Sequence, residues 1–109
     1  MEKFVKGDIV VVPFPFSDLT NSKRRPALVI TELAGDDVIL CQITSRNLND
    51  KYSIELNSND FQTGSLNQDS NIRPNRVFTA DSHIILYKVG NLNVTKITEV
   101  INKIIEIIK

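Results

Sequence analysis

"RPALVITELAGDDVILCQITS", residues 25–45, decides the fold. Two apolar runs rich in β-branched residues, Pro26 to Thr31 and Val38 to Thr44, flank a polar break centred on Gly35-Asp36-Asp37. Such runs favour strands, and a Gly/Asp break between them is a hairpin turn. Asp36 and Asp37 are thereby turn residues rather than a catalytic carboxylate pair. At the open end of this hairpin the chemistry changes. Lys23, Arg24 and Arg25 precede Pro26, and Thr44, Ser45 and Arg46 close the second run. A residue before proline is pushed to extended backbone, so Arg25 is launched from a fairly fixed position. A guanidinium fork with hydroxyls beside it is a group suited to phosphate.

Outward from the hairpin, further β-like runs fill most of the chain. "DIVVVPFPF" (Asp8 to Phe16) is β-branched, with Pro13 and Pro15 confining it to an edge or ending it. "YSIEL" (Tyr52 to Leu56) alternates as a half-buried strand does, whereas Asn59 to Asn71 is polar and turn-rich and reads as loop with one short helical turn. "RVFTA" (Arg76 to Ala80) and "HIILYKVG" (His83 to Gly90) complete the β-like set. The end changes period. Ile97, Val100, Ile101, Ile104, Ile105 and Ile108 form one apolar face of a helix, with Asn93 as N-cap. That face is expected to pack on the sheet. The predicted architecture is mainly β with a C-terminal helix, a small antiparallel barrel forming one domain over residues 1–109.

Composition narrows the chemistry. Thirteen cations balance thirteen acids, yet all five arginines lie between Arg24 and Arg76. Arginine suits bidentate phosphate contact, so this distribution points weakly to an anionic ligand. His83 is the sole histidine, and on a strand Ser82 and His83 would point to opposite faces, so neither a His-rich metal site nor a Ser–His pair can be built. Cys41 is the sole cysteine and sits in an apolar run, where it reads as a small buried hydrophobe. Four dispersed glycines make no phosphate-binding loop. These readings leave no cofactor and no metal. The N-terminal "MEKFVKGD" is not a signal peptide, and no apolar run approaches the ~20 residues that span a bilayer. The expectation is a cytoplasmic protein with no membrane partner.

The blocks "GDIVVVPFPFSD", "KRRPALVIT", "VILCQITS", "RPNRVFTAD" and "YKVGNL", in that order, resemble the PemK/MazF family of toxins from type II toxin–antitoxin systems. The resemblance implies an SH3-like β-barrel of the MazF/PemK (CcdB-like) type. It also implies a homodimer and a metal-independent endoribonuclease, an mRNA interferase acting on single-stranded RNA. Such enzymes cut by attack of the ribose 2′-hydroxyl, leaving a 2′,3′-cyclic phosphate and a 5′-hydroxyl, and are neutralised by a cognate antitoxin. On the matching positions, the catalytic arginine falls on Arg25 and the catalytic threonine on Thr44. Lys23, Arg24, Ser45, Arg46 and Arg76 are the implied RNA contacts. The loop serine falls on Ser17 or Ser22, because "SDLTNSKR" lacks the family's glycines. Arginine stays protonated at ordinary pH, so Arg25 takes charge stabilisation and the general base stays open. With no Trp, base stacking would use Phe14, Phe16, Tyr52 or Phe61. The rival reading is a non-catalytic barrel module that binds nucleic acid or inhibits a protein target such as gyrase.

Overall fold

The computed structural model describes residues 3–14, 23–46 and 50–109. Seven strands and one helix follow in chain order: β1 (Asp8–Phe14), β2 (Lys23–Glu32), β3 (Asp37–Thr44), β4 (Ile54–Leu56), β5 (Phe61–Gly64), β6 (Ser70–Asp81), β7 (Tyr87–Leu92) and α1 (Val94–Ile108). Two 3₁₀ turns, Ser58–Asp60 and Ser82–Ile84, join β4 to β5 and β6 to β7. The strands make one antiparallel sheet in the order β4-β6-β3-β2-β1-β7-β5. It curls on itself as the barrel expectation requires.

Both faces of the central strands are buried, which explains why β1 to β3 read as nearly unbroken apolar runs. Val10, Val12, Ala27, Val29, Val38 and Leu40 enter one apolar cluster. Their neighbours Ile9, Leu28, Cys41 and Ile43 enter a second, with Ile72, Leu92 and Val100. Helix α1 caps this second cluster. Asn93 is its N-cap, the side chain accepting from the Lys96 N–H at 2.9 Å. The apolar face is narrower than its periodicity predicts: Val100 is buried and Ile97 and Ile104 pack on the cluster, but Ile105 and Ile108 are exposed. No helix among the described residues is long and apolar enough to cross a membrane.

Several elements depart from the sequence expectation. β2 begins at Lys23, so the three cations belong to the strand itself rather than preceding a run that starts at Pro26. β5 and the first two residues of β6 occupy a stretch expected to be loop, and β6 continues through residues 72–75, which the sequence reading assigned to no strand. Pro74 is tolerated inside β6 because residues 73–76 bulge out of the ladder: Cys41 pairs with Val77, and Ile43 with Ile72. Pro13 likewise sits where β1 pairs with β2 alone, since the β1–β7 ladder ends at Val11–Tyr87. His83 lies in a 3₁₀ turn, not on a strand, and Asp81 caps that turn.

One buried charge ties the barrel's start to its last strand. Asp8 is 1% exposed; its Oδ2 accepts the Val5 N–H at 2.9 Å, while Lys88 Nζ stands 3.5 Å from Oδ1. That oxygen carries no hydrogen bond, so the ammonium compensates charge without completing the geometry.

Candidate active site

The β2–β3 register sets the site. Ala27 pairs with Gln42, and two residues further toward the open end stand Arg25 on β2 and Thr44 on β3. β1 flanks β2 here, pairing Val12 with Arg25 and Pro13 with Arg24. The strand ends thus bring together residues 19 positions apart in the chain. A shallow cavity of about 210 Å³ opens there, lined by Arg24, Arg25, Pro26, Ile43, Thr44 and Ser45 on the strand side and by Leu66, Asn67, Gln68 and Ser70 opposite.

Arg24 and Arg25 are exposed, and among the described residues neither is paired with a carboxylate. The same holds for Lys23, Arg46 and Arg76. Arg73, by contrast, reaches Asp50, with Nη2 4.0 Å from Oδ2. An exposed guanidinium with no internal anion keeps its five donors for an external one. Thr44 is half-buried, and its Oγ1 accepts the N–H of Arg46 at 3.2 Å. With an acceptor position of that oxygen used, its own O–H is left to donate into the cavity.

Four of the predicted site residues therefore meet: Arg24, Arg25, Thr44 and Ser45. Lys23, Arg46 and Arg76 do not line the cavity; Arg46 instead offers its backbone to Thr44 and Asn71, and Arg76 stands in the β6 bulge. Ser17, Ser22 and Phe16 lie outside the described residues. Phe14 packs on Phe78, ring centroids 5.9 Å apart, and Tyr52 lies under Lys51. Sequence reasoning missed the facing wall. Leu66 to Ser70 carry no charge except Asp69, and their polar, turn-rich composition gave only a loop signal.

Other candidates fall away on their surroundings. Burial pushes the Cys41 thiol up to about 12, and it donates to the Arg73 carbonyl at 3.0 Å, so no thiolate is available as nucleophile. His83 is exposed; its Nδ1 lies 2.6 Å from Asp81 Oδ1, and that hydrogen bond, followed by the charges of Asp81 and Asp36, raises its pKa. A larger cavity of about 430 Å³ lies at the closed end of the hairpin, but Glu32, Asp36 and Asp37 line it and would repel phosphate. No three His, Cys, Asp or Glu side chains among the described residues are placed to hold a metal ion.

Fold and site define a small curled β-barrel with a cationic, hydroxyl-bearing cavity at the mouth of one hairpin. Residues 5–108 match the family described as PemK-like, MazF-like toxin of type II toxin-antitoxin system, and the chain belongs to that family. Its fold is similar to that of Mycobacterium tuberculosis toxin MazF-mt6, at a TM-score of 0.69 and 17% identity, covering 89% of this chain and 91% of that one. An endoribonuclease in complex with its cognate antitoxin, from a mycobacterial species, superposes at 0.68 and 13% identity, covering 98% and 93%. A third structure, an endoribonuclease from a mycobacterial species, gives 0.64 and 16% over 95% and 86%. No curated protein sequence is a significant match.

Proposed function

We propose that this chain is a metal-independent endoribonuclease toxin that cuts single-stranded mRNA at the Arg25–Thr44 cavity and is neutralised by a cognate antitoxin. The observation that carries this reading is the pairing itself: an arginine with no carboxylate partner among the described residues stands beside a threonine whose hydroxyl is left to donate. Family membership supports it, as do neighbours that are endoribonucleases, one of them bound to its antitoxin. Cytoplasmic action and a homodimer belong to the same reading. The exposed apolar side chains Val77, Leu86 and Tyr87 are surface that a dimer would cover.

In the proposed reaction the ribose 2′-oxygen bonds to phosphorus while the P–O5′ bond breaks. The 2′-hydroxyl loses its proton and the departing 5′-oxygen gains one, leaving a 2′,3′-cyclic phosphate and a 5′-hydroxyl with no water consumed. Because nucleophile and phosphate share one nucleotide, proximity is built into the substrate. What the protein adds is stabilisation of the dianionic phosphorane. Arg25 supplies charge and a two-pronged donor, Thr44 a further O–H, and Arg24 a charge for the neighbouring phosphate.

Single-stranded RNA incubated with the protein in EDTA, beside Arg25→Ala, tests this directly. Cleavage by the parent and its loss in the variant are expected. Intact RNA with the parent, or equal cleavage by both proteins, would leave the non-catalytic module as the surviving reading.

A further inference from the structure

Beyond the two residues at the cavity, strand β6 contacts Arg46, two residues after Thr44, and separately Asp50. Its burial alternates through Ser70, Asn71, Ile72, Arg73 and Pro74, so Asn71 and Arg73 project to the same side. Asn71 pairs in register with Thr44, and its Nδ2 donates to the Arg46 carbonyl at 2.9 Å. Arg73 reaches Asp50, whose Oδ1 accepts the N–H groups of Tyr52 at 2.9 Å and Ser53 at 2.8 Å. The Arg46 residue is therefore gripped at both of its backbone polar groups. Asn71 takes the carbonyl, and Thr44 Oγ1 takes the N–H.

We infer that Asn71 is a positioning residue for Thr44, acting through Arg46. By fixing the carbonyl of Arg46 it keeps that residue's N–H on the Thr44 oxygen, and this contact decides which way the hydroxyl points. Without it, the hydroxyl is free to turn its own proton to a nearby backbone carbonyl, the local alternative open to threonine at a strand end. Arg73 pairs separately with Asp50. Neither residue lines the Arg25 cavity, so neither is proposed to touch the scissile phosphate. The inference rests on the ribonuclease reading for its catalytic consequence, but the grip itself does not.

Two measurements separate those parts. Amide hydrogen exchange at Arg46 reads the grip without RNA: Asn71→Ala is expected to speed it about tenfold, the effect of losing one net hydrogen bond. Steady-state cleavage reads the consequence. Asn71→Ala should lower kcat about tenfold with KM unchanged, and should add nothing in a Thr44→Val background. Asn71→Asp, of equal size but without the donor, should behave alike and guards against a folding defect, checked by thermal melting. Unchanged Arg46 exchange overturns the inference, as does an equal kcat loss in both backgrounds or a rise in KM with kcat retained, the mark of direct RNA contact. If the parent protein leaves RNA whole, the ribonuclease reading falls, and the exchange measurement still decides whether Asn71 holds Arg46 on Thr44.

Discussion

Arg25 and Thr44 stand at the open ends of adjacent strands, each two residues beyond the Ala27–Gln42 pair, and line one cavity. A strand mouth is rigid on one side and solvated on the other, which suits a charge that must be aimed without being neutralised. Backbone pairing places the two residues; their side chains have no structural duty among the described residues beyond the Thr44 turn. Removing either should therefore harm chemistry far more than folding.

Thr44→Val and Arg25→Ala are each expected to lower kcat by about 10²- to 10³-fold, the usual loss when one donor to a developing oxyanion is removed. Thr44→Ser should retain most activity because the hydroxyl survives. Arg25→Lys should recover little, since an ammonium cannot reproduce the planar fork. Thermal melts of all four variants should overlay the parent. A melting loss that tracks the activity loss would show a structural role instead.

Arg24 faces the same cavity with no carboxylate partner among the described residues, and it is expected to hold backbone phosphate rather than drive the reaction. Arg24→Ala should raise KM and leave kcat nearly intact. Binding of uncleavable single-stranded RNA, followed against salt, should lose about 0.7 from its log–log slope for one phosphate contact removed. An unchanged slope would remove Arg24 from the RNA path.

Asp81 and His83 form a pH-sensitive cap on the turn after β6, remote in role from the cavity. The Asp81 carboxylate lies on the His83 ring and on its backbone N–H, which raises the pKa of His83 and lowers that of Asp81. For the histidine, the added stability is complete below the unfolded value of about 6.5 and is lost as pH rises through its higher folded value. For the aspartate, it is present above about 3.9 and is lost as pH falls through its lower folded value. NMR titration should place the His83 midpoint above the free value, and Asp81→Asn should bring it down. RNA cleavage should not follow either change.

Gly90 and Gly64 face each other where β5 crosses β7, and the approach leaves no room for a side chain. A Cβ on Gly90 would sit 2.3 Å from the Thr63 carbonyl oxygen and 3.0 Å from the Gly64 Cα, both backbone atoms that cannot swing aside. Gly90→Ala should cost about 1–3 kcal/mol by overpacking, read from denaturant unfolding. Stability equal to the parent would mean that β5 can peel from β7 without consequence.

Much of this molecule was legible because its pattern is local. The β-branched runs of β1 to β3, the turn at Gly35 and Asp36 (with Asp37 already in β3) and the Asn93 cap each depend on residues within a few positions, and each appears close to where periodicity and turn chemistry place it. That Arg25 and Thr44 share the open end of this hairpin was legible too, but their alignment was not, because the register set at the turn shifts between Val29 and Thr31. β5 and the start of β6 were not. Their residues are polar, Pro74 argues against a strand, and they become strands only because β7, β3 and β4 offer ladders to join.

By itself, then, the sequence determined the hairpin, the helix and the cationic mouth, features written in spacing along the chain. Only the tertiary structure decided that Leu66 to Ser70 would close the cavity, that Asn71 would hold Arg46, and that Arg76 would stand apart. Those outcomes turn on a bulge and on strand order, which are set by how distant segments share hydrogen bonds and a core.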